Sequence, residues 1–147
     1  MKKMMLALAM IVTIGISGAF AGEENVSKRV LNAFKTEFAA AQDVNWSTGN
    51  SFYKAEFTMN GQRVFAFYSI GGELMGVARY ISSLQLPLGQ LTTLKNNYSN
   101  YWISDLFEVS NSEGTHYYIT LEKSDVSIIL KSTNGTSWMV YDKKKKV

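Results

Sequence analysis

His116 is the only histidine among the 147 residues and cysteine is absent, so the side chains that supply most metal ligands and most proton transfer near neutral pH are represented once between them. A closed zinc site of the His/Cys kind therefore has no ligands to draw on, and no metal or cofactor is implied. A Ser-His-Asp hydrolase has raw material in His116, Asp105 or Asp125 and many serines. None of those serines sits in the strand-turn-helix elbow that lifts a nucleophilic hydroxyl above a sheet. Glu56 and Glu108 are candidate paired carboxylates for acid-base work, but Arg63 lies one diagonal from Glu56 on the same hairpin, and an ordinary surface ion pair accounts for it more simply. Gly71-Gly72 falls between strands rather than ahead of a helix, so it builds no phosphate cradle. These residues point away from an enzyme and toward recognition.

Recognition chemistry has better candidates. Phe52, Lys54, Phe65 and Phe67 in one stretch, and His116, Tyr118, Ile129 and Tyr141 in another, fall on alternate positions of strand-like runs. Alternation sets them on the sheet face away from the helices, with Arg63, Glu56 and Glu122 at the margin. An apolar centre with a charged rim is the composition of a recognition surface. On that reading the rings are partly solvated in the free protein. The competing reading is that they pack on each other as cross-strand pairs. His116 itself is expected on the outer face as an ordinary surface residue.

The element that must position the first set is Phe52 to Tyr80, which reads as a β-meander. Asn60-Gly61 separates two alternating runs, and a type I′ turn needs positive φ at both central residues, which Asn and Gly tolerate best. A two-residue loop there sets Met59 opposite Gln62, Phe57 opposite Val64, Ala55 opposite Ala66 and Tyr53 opposite Tyr68, gathering apolar groups on one side. The other side pairs Thr58 with Arg63, Glu56 with Phe65 and Lys54 with Phe67. Gly71-Gly72 is expected to repeat the tight turn one strand later.

Around this meander, residues 26–41 carry Val26, Val30, Phe34 and Phe38 at helical spacing, with Asn25 or Ser27 as the cap. Asp43 to Trp46 leaves the helix as a short extended piece, and residues 47–51 form a loop. After Pro87, which suits a helix's first turn, Leu88, Leu91, Leu94 and Tyr98 mark a second helix. Strands follow over residues 102–110, 115–122, 126–131 and 137–141, with turns at 111–114, 123–125 and Asn134-Gly135. Phe34 and Phe38 match Leu94 and Tyr98 at a separation of 60 residues, and Phe57 matches Ile119 at 62. The fold expected is α+β: two similar halves, about 26–80 and 86–141, each a helix followed by an antiparallel meander, with the helices on one face of the sheet.

Residues 1–21 stand apart. Lys2-Lys3, the apolar run from Met4 to Ile16 and the Ala19-Phe20-Ala21 pattern describe a cleavable signal peptide, giving a mature chain from Gly22 and no stable membrane insertion after cleavage. Without cysteine there is no lipid-modified start. The formal charge of +3 then dissolves: outside the leader there are 13 basic and 12 acidic residues, and without Lys143 to Lys146 the body carries 9 against 12, or −3. A nucleic-acid partner is excluded by that body charge. The lysine run, residues 143–147, is expected as a solvated basic tail. Four Asn-x-Ser/Thr sequons occur, at Asn25, Asn45, Asn97 and Asn134.

Residues 33–38 (Ala-Phe-Lys-Thr-Glu-Phe), Val44-Asn45-Trp46, the Tyr53 to Phe57 strand with Asn60-Gly61, Gly72-Glu73-Leu74 and the Leu86-Pro87 entry to the second helix together resemble the PepSY-like family of exported Bacteroidetes proteins, over about residues 26–141. That family is similar in fold to the β-lactamase inhibitory protein, a tandem of two helix-plus-sheet halves. The resemblance implies a fold, and a binding or inhibitor-like role in which an envelope protein or peptide is the partner. A structural or assembly role in the envelope, with no discrete ligand, is the alternative it leaves open. The chain departs from the inhibitory protein in having no disulfide.

Overall fold

A computed structural model describes residues 20–132, 135 and 137–146. Nearly all of the expected leader, and Asn134 of the last turn, lie outside the described residues. The chain divides into two compact units that meet in sequence between Arg79 and Tyr80.

The first unit contains a two-residue strand β1 (Phe20–Ala21), helix α1 (Lys28–Glu37) and strands β2 (Gln42–Thr48), β3 (Phe52–Met59), β4 (Gln62–Ser69) and β5 (Leu74–Tyr80). All neighbours pair antiparallel, in the order β1-β2-β3-β4-β5. Ser27 caps α1: its hydroxyl accepts from the Val30 N–H at 3.3 Å, which relieves one of the helix's unpaired amides. Val26, Val30 and Phe34 press onto Trp46, Ala55, Phe57, Val64, Ala66 and Tyr68 to form the core. Phe34 sits edge-on to both Trp46 and Phe57, with ring centroids 5.1 Å away in each case.

Asn60 and Gly61 have φ of 53° and 74°, and every pair of the β3–β4 ladder falls in the register the two-residue turn demands, from Met59 with Gln62 to Phe52 with Ser69. Residues 70–73 behave differently. Only Gly72 has positive φ, and strand pairing stops at Tyr68 with Leu74 after a bulge, so the connection is a four-residue loop rather than a second tight turn. Its closure comes from Gly72 N–H to the Ser69 carbonyl at 3.0 Å and Ser69 N–H to the Glu73 carbonyl at 2.9 Å. Strand β2 is also longer than expected. A bulge between Gln42 and Asn45, with Asp43 at φ 53°, lets the strand run on through Ser47 and Thr48, which sequence reading assigns to a loop.

The second unit holds helix α2 (Leu88–Asn97) and strands β6 (Trp102–Asn111), β7 (Gly114–Glu122), β8 (Val126–Ser132) and β9 (Met139–Lys145), antiparallel in that order. Leu86 and Leu94 pack on Leu106, Ile119, Leu121, Val126, Ile128 and Leu130. One polar cluster interrupts this core: the Gln90 side-chain amide donates to the Ser132 hydroxyl, and the Trp138 indole N–H donates to the Gln90 backbone carbonyl at 3.1 Å.

The lysine run is not a loose tail. Strand β9 continues to Lys145, which pairs with Val126, and the Lys146 N–H donates to the Asp125 carbonyl at 2.9 Å. The Lys146 ammonium also pairs with the Glu122 carboxylate. The lysines extend the strand because β8 offers a complete partner edge, a tertiary cue that a run of four like charges conceals.

Candidate functional site

The alternation places each predicted residue on the face it was assigned to, and then closes most of them. In the first unit, Phe65 and Phe67 point away from α1, yet each is only 3% exposed. Phe52 and Lys54 are half-buried. The Phe52 ring lies 6.1 Å from that of Phe67, and the Lys54 ammonium sits 5.8 Å from the Phe65 ring centroid. Arg63 donates to Glu56 across the β3–β4 ladder in a close ion pair, which commits that carboxylate to structure and removes it from any acid-base pair. Gly49 belongs to the same arrangement: a Cβ there would lie 2.0 Å from the Phe52 ring, so only glycine lets the ring lie over this turn. The expectation that Phe65 and Phe67 are partly solvated is therefore corrected. They pack, and burial lowers the pKa of Lys54 although Glu56 opposes the shift.

In the second unit, His116 is 5% and Tyr118 2% exposed, so His116 is not the surface residue expected. Its Nε2 lies 3.3 Å from Asn111 Oδ1, while Nδ1 and the Tyr118 hydroxyl have no hydrogen-bond partner among the described residues. Tyr118 is closed over by Tyr141, edge-on with centroids 5.7 Å apart, and by the Lys131 ammonium at 5.8 Å. Burial, helped by Lys131 and opposed by Glu113, pushes the His116 imidazole below its ordinary pKa, and burial raises the Tyr118 phenol. These shifts favour the neutral imidazole and the protonated phenol. Ile129 is half-buried, and Tyr141 stays 39% exposed.

Trp102 and Met139, which sequence reading passed over, complete this face together with Glu122, which it set at the margin. Trp102 and Glu122 stand opposite each other on β6 and β7, and the Lys146 ammonium lies 5.1 Å from the Trp102 ring. Glu122 accepts from Lys146, from the Ser127 hydroxyl at 3.0 Å and from the Ser104 hydroxyl at 3.5 Å; its pKa is lowered first by the Lys146 contact. Neighbouring Asp105 is raised by burial and by the Glu122 charge. Met139, which pairs with Lys131 on β8, is 64% exposed, and Trp102 is 55% exposed. Met139 shares its parity with Tyr141, so alternation along residues 137–141 carried a signal for it that was passed over, whereas a bulge between Ile103 and Asp105 puts Trp102 out of step with the rest of β6.

Among the described residues no group of histidine, cysteine and carboxylate side chains could hold a metal, and no helix is long and apolar enough to cross a membrane.

Antiparallel strands beneath two helices match known structures across most of the chain. A BLIP-like protein from Bacteroides fragilis superposes with a TM-score of 0.70 at 18% identity, covering 82% of this chain and 86% of that one. The fold is BLIP-like. A DUF2874 family protein from Bacteroides ovatus gives 0.73 at 18% identity, over 82% and 88% of the two chains. A protein from Bacteroides eggerthii, named a "putative periplasmic" protein, gives 0.72 at 17% identity over the same shares. Neither a family model nor a curated protein matches the chain. None of these three structures is named as an enzyme.

Proposed function

We propose that the chain is an exported, non-catalytic binding module of the PepSY-like kind, built as two tandem copies of one helix-plus-meander unit, and that it recognises an envelope protein or peptide through the sheet face opposite its helices. The observation that carries this reading is the face of the second unit. There Trp102, Met139 and Tyr141 are exposed while His116 and Tyr118 form a closed layer beside them. Lys131, Lys144, Lys146 and Asp142 supply charge around them, so large apolar side chains sit inside a polar rim, and aromatic, Met and basic residues are those enriched where proteins meet. Buried Tyr118 then acts as the rigid floor of that patch rather than the contact itself, and in the first unit, taken by itself, Phe52 and Lys54 are the accessible part beside buried Phe65 and Phe67. The compartment rests on the leader pattern and is supported by the periplasmic name of one structural relative.

A photocrosslinking residue placed at Tyr141 in intact cells tests this. A discrete adduct from Tyr141, absent from the same probe at 84%-exposed Leu84, is the expected result. Equal labelling from both positions, or adducts formed only between copies of the chain, would replace recognition by an assembly role.

A further inference from the structure

Among the described residues, strand β1 is the only neighbour of β2 on its outer side: Phe20 pairs with Ser47 and Ala21 with Trp46, while β3 occupies the inner side. These two residues are the last of the expected leader. Export with cleavage after Ala21, on which the present inference rests, removes β1 and leaves the outer edge of β2 without a partner. An uncovered edge is a row of unpaired N–H and C=O groups, and proteins ordinarily blunt such edges with charge or irregularity. Strand β9 of the second unit carries that protection in Lys143, Lys144 and Lys145. Strand β2 carries only the bulge and Asp43 at its start, and residues 44–48 are free of charged side chains.

Beside this edge lies a cavity of about 380 Å³ whose apolar wall is Leu31, Phe34, Ala41, Val44 and Trp46 and whose polar wall includes Glu23, Lys35 and Asn45. A hollow with an apolar wall next to a backbone edge is the arrangement in which added strands are recognised: main-chain hydrogen bonds supply affinity, and a pocket selects a side chain. We propose that in the mature protein β2 accepts an extended segment of another exported polypeptide, laid antiparallel over residues 44–48, with an apolar side chain in this cavity. The chain's own Phe20–Ala21 already shows that the edge takes a strand in that direction. A second copy of the chain fits less well, because after cleavage it no longer carries Phe20 and Ala21, the residues that pair with this edge.

The probe is a synthetic peptide with the sequence of residues 16–21, Ile-Ser-Gly-Ala-Phe-Ala, added to the chain that begins at Gly22. That chain keeps every residue of both cores, the first being Val26. Amide exchange at Trp46 and Thr48, whose N–H groups face the outer side of β2, should slow by roughly tenfold or more at saturating peptide, and a peptide methylated on the Ala21 nitrogen, which faces Trp46, should not reproduce this. A chain beginning at Ile16 should show the protection without added peptide. No protection by the peptide, or equal protection by the methylated peptide, overturns the strand-acceptor proposal. Intact mass of the protein from the cell envelope reports the other requirement separately: a species retaining Met1 means that β2 stays covered, and overturns it by a different route.

Discussion

Replacing Phe65 or Phe67 by alanine should cost roughly 3 to 5 kcal/mol apiece, the range for buried aromatic side chains, because both rings are closed from solvent. Urea denaturation of each single variant measures this, and a loss near zero would mean that the rings add no packing energy to the fold. His116 supplies a second test. Its folded pKa lies below the ordinary 6.5, so the unfolded chain binds more protons in acid; the stability it contributes is complete above about pH 6.5 and is lost as pH falls through that value toward the folded one. Lys131 reinforces this and Glu113 opposes it. His116→Gln should flatten the decline in stability between about pH 7 and about pH 5, read from melting temperature. An unchanged slope would place the acid sensitivity elsewhere. Alternation assigned these side chains to a face correctly, since a pleated strand dictates it. It could not assign exposure, which is set by what Phe52, Lys54, Tyr141 and Lys131 fold over.

At the scale of the element, β9 depends on its last residues. The Lys146 contact keeps Glu122 ionised below its usual range, so that contribution is present above about pH 4.5 and fades as pH falls through the lower folded pKa. Glu122→Gln should remove the fade and should speed amide exchange at Lys145 and Lys146, leaving the helices unaffected; unaltered exchange there would mean that backbone pairing with β8 alone holds the strand. The legibility of elements followed the locality of their causes. The β3–β4 hairpin was readable to the residue because Asn60-Gly61 fixes its own geometry, and α1 and α2 because their apolar stripes repeat. The Asp43 bulge, the four-residue loop after β4 and the lysine strand were not, since each depends on the register of the adjacent strand rather than on its own residue types. Trp102 was missed as a candidate site residue because the bulge between Ile103 and Asp105 breaks its alternation, and Met139 although it shares its parity with Tyr141.

At the scale of the whole molecule, each of the two units has one long helix packed on antiparallel strands, and Val30 and Gln90 hold the third position of those helices, both fully buried. Chains with two similar parts run a hazard while folding: a helix can dock on the wrong sheet. The polar cluster in the second core makes that error costly. Gln90 laid on the apolar floor of Trp46, Phe57 and Tyr68 would bury its amide without Ser132, a penalty of about 1 to 3 kcal/mol, and Val30 in the second core would strand the Ser132 hydroxyl. Gln90 thereby acts as a matching key between a helix and its own sheet. The variant Gln90→Val with Ser132→Ala should keep most of its equilibrium stability, since both partners are replaced together, yet refold from denaturant with a lower yield of native protein and more aggregate than the parent. Refolding yields indistinguishable from the parent's would show that chain order alone keeps each helix with its own strands.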